Sequence, residues 1–239
     1  MPSSQLKEIT LWGKGGPNPP KVAMMLEELG LPYKINALHF TEVKQPAYLA
    51  LNPNGRMPTI EDPNNGDFVL WESGAIVEYL VDRYDTDRKL SFPPGTNESY
   101  LAKQWLFFQT TGQAPYYGQA VWFLKLHNEK LPSAIVRYLK EVKRVMGVLE
   151  LHLNRQKEAF PDAADGPWLV GGRVSYADLS FLSWQEAVRR ILGDEEHEGE
   201  TYSEDEFPVA KAWLERMRVR PAVAAVLQNV MSEGKPGKQ

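Results

Sequence analysis

Apolar residues fall in short runs and alternations through the first third of the chain, and recur every three or four positions thereafter. The short runs predict strands at 8–12, 33–38, 57–61 and 68–71, because alternate positions of a strand face opposite sides of a sheet. Between the first two, Val22, Met25, Leu26 and Leu29 share one face of a helix. Asn18-Pro19-Pro20 opens that helix with a cap residue and proline in the first turn, and Gly30 stops it. Asp62-Pro63-Asn64-Asn65-Gly66 is the turn between the last two strands. Ile76, Tyr79, Leu80 and Arg83 then mark one side of a second helix. The order is strand, helix, strand, then strand, strand, helix. It predicts a small α/β domain made of one parallel unit, a hairpin and a helix.

After Tyr84 the pattern changes. Residues 85–95 are polar and proline-bearing and read as a linker, with Phe92 available to pack on a domain. From about Ser99 onward no strand pattern returns. Leu101, Trp105, Phe108 and Gly112 lie on one helical face that runs until Pro115. Ile135, Leu139, Val142, Met146, Leu149 and Leu153 form a long stripe beginning just after Pro132. Ser175-Tyr176-Ala177-Asp178 has capping-box spacing, with Asp where Glu or Gln is usual, and reads as a folding element rather than a site. The acidic stretch 193–206, with Glu195 and Glu196, reads as a solvated loop, and Pro208 and Pro221 each start a terminal helix. The expected division is an α/β domain at 1–86, a linker at 87–98 and an all-helical domain at 99–239.

Composition narrows the function. The 239 residues suffice for two modest domains, and the net charge of -4 gives no support for nucleic-acid binding. No apolar run approaches the ~18 residues that span a membrane, and residues 1–8 lack the apolar core of a signal peptide. A soluble, cytoplasmic protein is the expectation. The chain has no cysteine, so disulfides, thiolate-held metal and cysteine nucleophiles are excluded, and any thiol must arrive with a substrate. The four histidines, His39, His127, His152 and His197, are scattered without ligand spacing, so no metal site is expected.

One pairing of motifs points to a ligand. Asn52-Pro53-Asn54-Gly55-Arg56-Met57-Pro58 leads into a strand, and Glu72-Ser73 follows the next one. Proline at a strand start donates no ladder hydrogen bond and suggests a cis turn. Such a turn leaves the N–H and C=O of Met57 to pair with an extended peptide. Ser73, at the start of the following helix, would attract a carboxylate as a hydroxyl cap, and Glu72 beside it would hold an ammonium. A ligand with a peptide middle and a zwitterionic end fits, and glutathione is one. Read singly, these residues are an edge proline, a helix cap and a surface arginine; together they describe a site.

Over essentially its whole length the chain resembles the glutathione transferase superfamily. The residues that carry the resemblance are Gly16-Pro17-Asn18 with Lys21-Val22, the run Trp105-Leu106-Phe107-Phe108-Gln109-Thr110-Thr111-Gly112, and Ala114-Pro115. Arg144-Val145-Met146-Gly147-Val148-Leu149-Glu150, Pro167-Trp168-Leu169-Val170-Gly171 and Arg220-Pro221-Ala222-Val223 also fit. The combination is similar to the fungal transferases related to the yeast nitrogen regulator and to bacterial nu-class enzymes. The resemblance implies a thioredoxin-like glutathione-binding domain followed by an all-helical domain, and a homodimer. It implies that Arg56 or Lys44 faces the glycyl end of glutathione, that Met57 supplies the backbone pair, that Pro58 is cis, and that Glu72 and Ser73 hold the γ-glutamyl end. Asn18 takes the position of the asparagine near the sulfur. Bacterial members often carry threonine two residues earlier, where this chain has Gly16.

The chemistry then follows from the thiol. With an ordinary pKa of ~8.5, only a few per cent of a thiol is ionised at pH 7, and the thiolate is the nucleophile. No tyrosine, serine or cysteine lies between Thr10 and Lys21, so Asn18 is the remaining donor for the sulfur, stabilising charge rather than removing a proton. The electrophile is expected between the domains, with Tyr116 and Trp122 as lining. The main reading is conjugation of the glutathione thiolate to small electrophiles, a detoxification chemistry. Two alternatives stay open: glutathione-dependent disulfide or peroxide reduction, and a non-catalytic glutathione-binding regulator.

Overall fold

The computed structural model describes residues 6–163, 165–193 and 196–231. The reading of residues 1–8 falls partly outside these, and Glu195 wholly so. The chain forms two compact units: the described residues within Met1–Leu90 and Arg218–Gln239, and those within Ser91–Met217.

The first unit is built on a four-stranded sheet, β1 (Ile9–Trp12), β2 (Tyr33–Asn36), β3 (Thr59–Asp62) and β4 (Phe68–Trp71), in the order β2-β1-β3-β4. β1 and β2 are parallel and joined by α1 (Asn18–Glu28), whereas β3 runs antiparallel to both β1 and β4. Alternation in β1 buries Ile9 and Leu11. A continuous buried run, Pro19 to Leu26, seats α1 between the sheet and its neighbours, α3 (Ser73–Tyr84) and α9 (Pro221–Val226). α9 thus belongs with this unit, whereas the apolar pattern alone groups it with the other helices. Arg220, just before it, donates from Nε and a terminal nitrogen to the Glu28 carboxylate at 2.6 and 2.7 Å. A short helix, α2 (Pro46–Leu49), and the preceding turn Glu42–Lys44 escape the sequence pattern, since four residues are too few to show a helical period.

Two helix starts differ from expectation. Pro17, not Asn18, occupies the cap position of α1, which leaves Asn18 as its first helical residue. Glu72, not Ser73, caps α3 by position, with no side-chain capping bond.

The second unit is helical among its described residues. α4 (Asn97–Phe108) does not stop at Pro115 as the pattern predicts. A wider π turn at Gln109–Gln113 carries the chain into α5 (Ala114–Val121), with Pro115 in its first turn. Proline lacks an N–H and crowds the carbonyl four residues earlier, and the wider turn relieves both demands. A second π turn, Trp122–Leu126, follows. The apolar stripe becomes the 28-residue α6 (Pro132–Ala159). α7 (Tyr176–Leu192) is buried over nearly all of its length and starts on the predicted capping box. α8 (Pro208–Arg218) closes the unit.

Asp178 of that box does more than cap. Its Oδ2 accepts from the Ser175 N–H and hydroxyl, and its Oδ1 from the Leu169 N–H and Trp213 Nε1, each at 2.9 Å. One buried carboxylate so ties α7 to α8 and to the turn before α7. Phe92, in the expected linker, is buried, with the Arg173 guanidinium 4.3 Å above its ring.

Candidate functional site

Strand register gathers the predicted residues. Trp12 pairs with Thr59, and Thr59 with Trp71. The end of β1, the start of β3 and the end of β4 therefore lie side by side. The segments that leave the sheet there are the loop to Asn18, the Met57-Pro58 turn and Glu72-Ser73. Residues far apart in sequence share one rim because β3 runs antiparallel to both β1 and β4, which brings its start beside their ends.

The Met57–Pro58 bond is cis. Neither the N–H nor the C=O of Met57 is engaged in a turn or loop hydrogen bond of the described main chain. Gly13 has φ +108°, and a Cβ there would lie 2.6 Å from Met57 Sδ, so glycine is what lets the turn close on the end of β1. Two side chains that sequence reasoning missed fix the residue before it. Tyr48 Oη and Asn52 Nδ2 donate to the Arg56 carbonyl at 2.8 and 2.7 Å. Both also reach Thr59 Oγ1, at 2.9 and 3.2 Å. Tyr48 is 3% and Asn52 2% exposed, so this bracket beneath the turn is dry. The run Asn-Pro-Asn-Gly was its sequence signal, because asparagine organises turns through its side chain.

Lys44 and Arg56 are both exposed. Lys44 Nζ donates to the Asn54 carbonyl at 3.1 Å, which sets its ammonium against the 52–56 turn. Gly55, at φ +59°, makes room: a Cβ there would lie 2.9 Å from that nitrogen. Both cations therefore border the same turn.

Glu72 has φ 73° and ψ 110°, backbone that glycine adopts freely and glutamate does not. Such strain persists only where surrounding structure imposes it, and it gathers at ligand sites. Here it turns the chain sharply off β4 into α3 and leaves the Glu72 side chain exposed while Ser73 is buried. The Ser73 hydroxyl accepts a hydrogen bond from Lys21 Nζ at 2.9 Å. Lys21 is 1% exposed, and burial pulls its pKa from 10.5 down to about 7, against the opposing pull of Glu72. Sequence reasoning quoted Lys21 only as part of a motif. A lysine one turn after Asn18 on a buried helix face was the available signal. Asn18, half-buried in the first turn of α1, and Lys21 lie on one side of that helix.

Tyr116 and Trp122 belong to the helical unit. Tyr116 faces α6, its ring 6.4 Å from Tyr138 and 5.8 Å from the Arg144 guanidinium carbon. Trp122 is 46% exposed, with its ring 6.5 Å from His127. A cavity of about 560 Å³ lined by Phe123, His127, Lys130, Ile135 and His197 lies in the same unit and includes neither. Among the described residues no group of histidine, aspartate and glutamate is arranged to hold a metal, and no helix is long and apolar enough to cross a membrane.

Comparison with known proteins matches this architecture at both ends. The sequence profile of the glutathione S-transferase N-terminal domain fits residues 7–82, and that of the C-terminal domain fits residues 120–229. The chain is 56% identical over 218 residues to the glutathione S-transferase-like protein tpcF of Aspergillus fumigatus, covering 91% of this chain and 94% of that one. Glutathione transferase URE2P6 of Phanerochaete chrysosporium, solved in complex with oxidized glutathione, superposes with a TM-score of 0.84 at 48% identity, covering 96% and 99%. Ure2p5 of the same fungus, cocrystallized with 1-(S-glutathionyl)-2,4-dinitrobenzene, gives a TM-score of 0.83 at 34% identity, covering 98% and 99%. With two domain profiles in order and close likeness over nearly the whole length, the chain belongs to the glutathione S-transferase family.

Proposed function

We propose that this chain is a glutathione transferase that holds glutathione along the rim of its sheet and directs the thiolate at small electrophiles. The observation that carries the reading is the shared register of Trp12, Thr59 and Trp71, which sets the cis Met57–Pro58 turn beside the Glu72-Ser73 corner, to which α1 is tied by the Lys21–Ser73 hydrogen bond. In this reading Met57 pairs with the peptide middle of the ligand as an added strand. Glu72 binds the γ-glutamyl ammonium, Ser73 and the head of α3 take its carboxylate, and Lys44 and Arg56 face the glycyl carboxylate. Asn18 and the N-terminus of α1 stabilise the sulfur anion. Lowering the thiol pKa by two units takes about 2.7 kcal/mol, within reach of a side-chain amide and a helix terminus together. The thiol proton goes to solvent. The sulfur then bonds to the electrophilic carbon as the leaving group departs with its electron pair.

Tyr116 and Trp122 are proposed as aromatic contacts for the electrophile. The α/β domain at 1–86 is proposed to bind glutathione and the helical residues from 99 to 217 to contact the electrophile, with 87–98 as connector and α9 belonging to the first unit. The protein is proposed to act as a cytoplasmic homodimer in detoxification.

The test is ultraviolet titration of the thiolate of bound glutathione in the native protein and in Asn18→Ala. A lowered thiol pKa that rises by about one unit or more in the variant supports the assignment. An unshifted thiol in the native protein removes the catalytic reading, and a shift unchanged in Asn18→Ala removes only the role of Asn18. Turnover of an aryl halide against that of a mixed glutathione disulfide separates conjugation from reduction.

A further inference from the structure

We propose that Lys21 is the positioning residue of the γ-glutamyl subsite, holding the Ser73 hydroxyl as a donor toward the ligand's α-carboxylate and supplying the positive charge behind it. The proposal rests on the glutathione reading above and goes beyond it. An ammonium can only donate, so in the contact between Lys21 Nζ and Ser73 Oγ at 2.9 Å the hydroxyl oxygen must accept. That leaves the hydroxyl hydrogen to point elsewhere, and at the first residue of α3 the ligand of the proposed site is an anion. A charged donor on the oxygen also polarises the O–H and strengthens its donation. The zwitterionic end of glutathione then meets a matched pair: exposed Glu72 for its ammonium, and Ser73 backed by Lys21 for its carboxylate.

The same contact makes binding sensitive to protons. Lys21 is held at about 7 by burial, and of the groups on elements packed around α1 it is Glu72, at the head of α3, that acts on it. β1 and α9 carry no titratable side chain. Glu27 and Glu28 lie at the far end of α1, with Arg220 on Glu28, and Glu78, Tyr79, Asp82, Arg83 and Tyr84 lie further along α3. A carboxylate arriving at Ser73 adds a negative charge close to the ammonium, which favours its protonated form. Ligand binding above neutral pH therefore takes up a proton, and affinity falls as pH rises through about 7.

The probe is S-methylglutathione, which has no thiol to ionise. Calorimetric titration of the native protein at pH 7.5 in phosphate and in Tris reads proton uptake as the difference in apparent enthalpy. The expected uptake is roughly half a proton or more, given a free-protein value near 7. Lys21→Met is expected to lose that uptake, apart from any share from the ligand's own amine, and to weaken binding on the order of 10- to 100-fold, as befits a lost charge-assisted hydrogen bond. The KM for glutathione should rise by more than kcat falls. Ser73→Ala should also reduce the uptake, and in its background Lys21→Met should cost less than it does alone, because the two act as one unit. A native protein that fails to bind the probe overturns the glutathione site itself. Binding with equal heats in the two buffers overturns the role of Lys21 and leaves the site standing, and so does unchanged affinity in Lys21→Met. If Lys21→Met does not fold, the native buffer pair and Ser73→Ala decide.

Discussion

Replacing Lys21 by methionine should make the protein more stable, and more so at low pH. The side chain is 1% exposed and its pKa falls from 10.5 to about 7 on folding. At 1.36 kcal/mol per pH unit, holding the ammonium in that interior costs about 5 kcal/mol wherever the group is charged in both states. The sign follows from proton counting. Between about 7 and 10.5 the unfolded chain binds the proton and the folded one does not, so stability rises with pH through this window and is flat below it. From pH 6 to pH 9 the native protein should therefore gain about 2 to 3 kcal/mol that the variant does not. Methionine is close in length and apolar, and its substitution forfeits the bond to Ser73, worth about 1 kcal/mol. Lys21→Met should thus exceed the native protein by about 3 to 4 kcal/mol at pH 6, with the gap closing toward pH 9. Urea unfolding at pH 6, 7, 8 and 9, followed by circular dichroism, measures both curves. Native and variant stabilities that run parallel across this range would refute the depressed lysine and the cost assigned to it. A burial this costly is understandable where the charge serves the ligand rather than the fold.

Three further outcomes test the site and its frame. Glu72→Gly should keep stability within about 1 kcal/mol of native, since glycine removes the strain at φ 73° while adding chain entropy, yet KM for glutathione should rise at least ~10-fold because the ammonium loses its partner; urea unfolding and initial rates read the two effects separately. Asn52→Ala removes one of the two donors on the Arg56 carbonyl and should lower stability by about 2 kcal/mol; a glutathione KM unchanged in this variant would show that the bracket does not shape the turn. Asp178→Ala strips the acceptor from four donors and should destabilise the helical unit by about 3 to 5 kcal/mol, measurable as a lowered Tm, with no change in the affinity of the folded protein for S-methylglutathione.

The sequence by itself determined most of the longer elements and named the residues of the candidate site that carry its chemistry. Periodicity is a local property, so the alternation of Ile9 and Leu11, the stripe of α6 and the Ser175–Asp178 box all declared themselves without the fold. Motif chemistry likewise singled out Met57-Pro58, Glu72-Ser73 and Asn18 before any of them was seen to share a rim. What local pattern cannot encode is which distant group completes a hydrogen bond. Only the tertiary structure decided that Pro17 rather than Asn18 takes the cap position, that helical backbone passes through Pro115 on a π turn, and that α9 returns to pack on α1. It alone placed Tyr48 and Asn52 beneath the Arg56 carbonyl, and a lysine on Ser73 across 52 residues of sequence. The reason is physical: a lysine in a helix is ordinarily a solvated cation, and its place beside the apolar face of α1 does not by itself say that α3 will close over it. Burial is set by the whole packing, and it is burial that turns an ordinary ammonium into a charge poised near neutral pH.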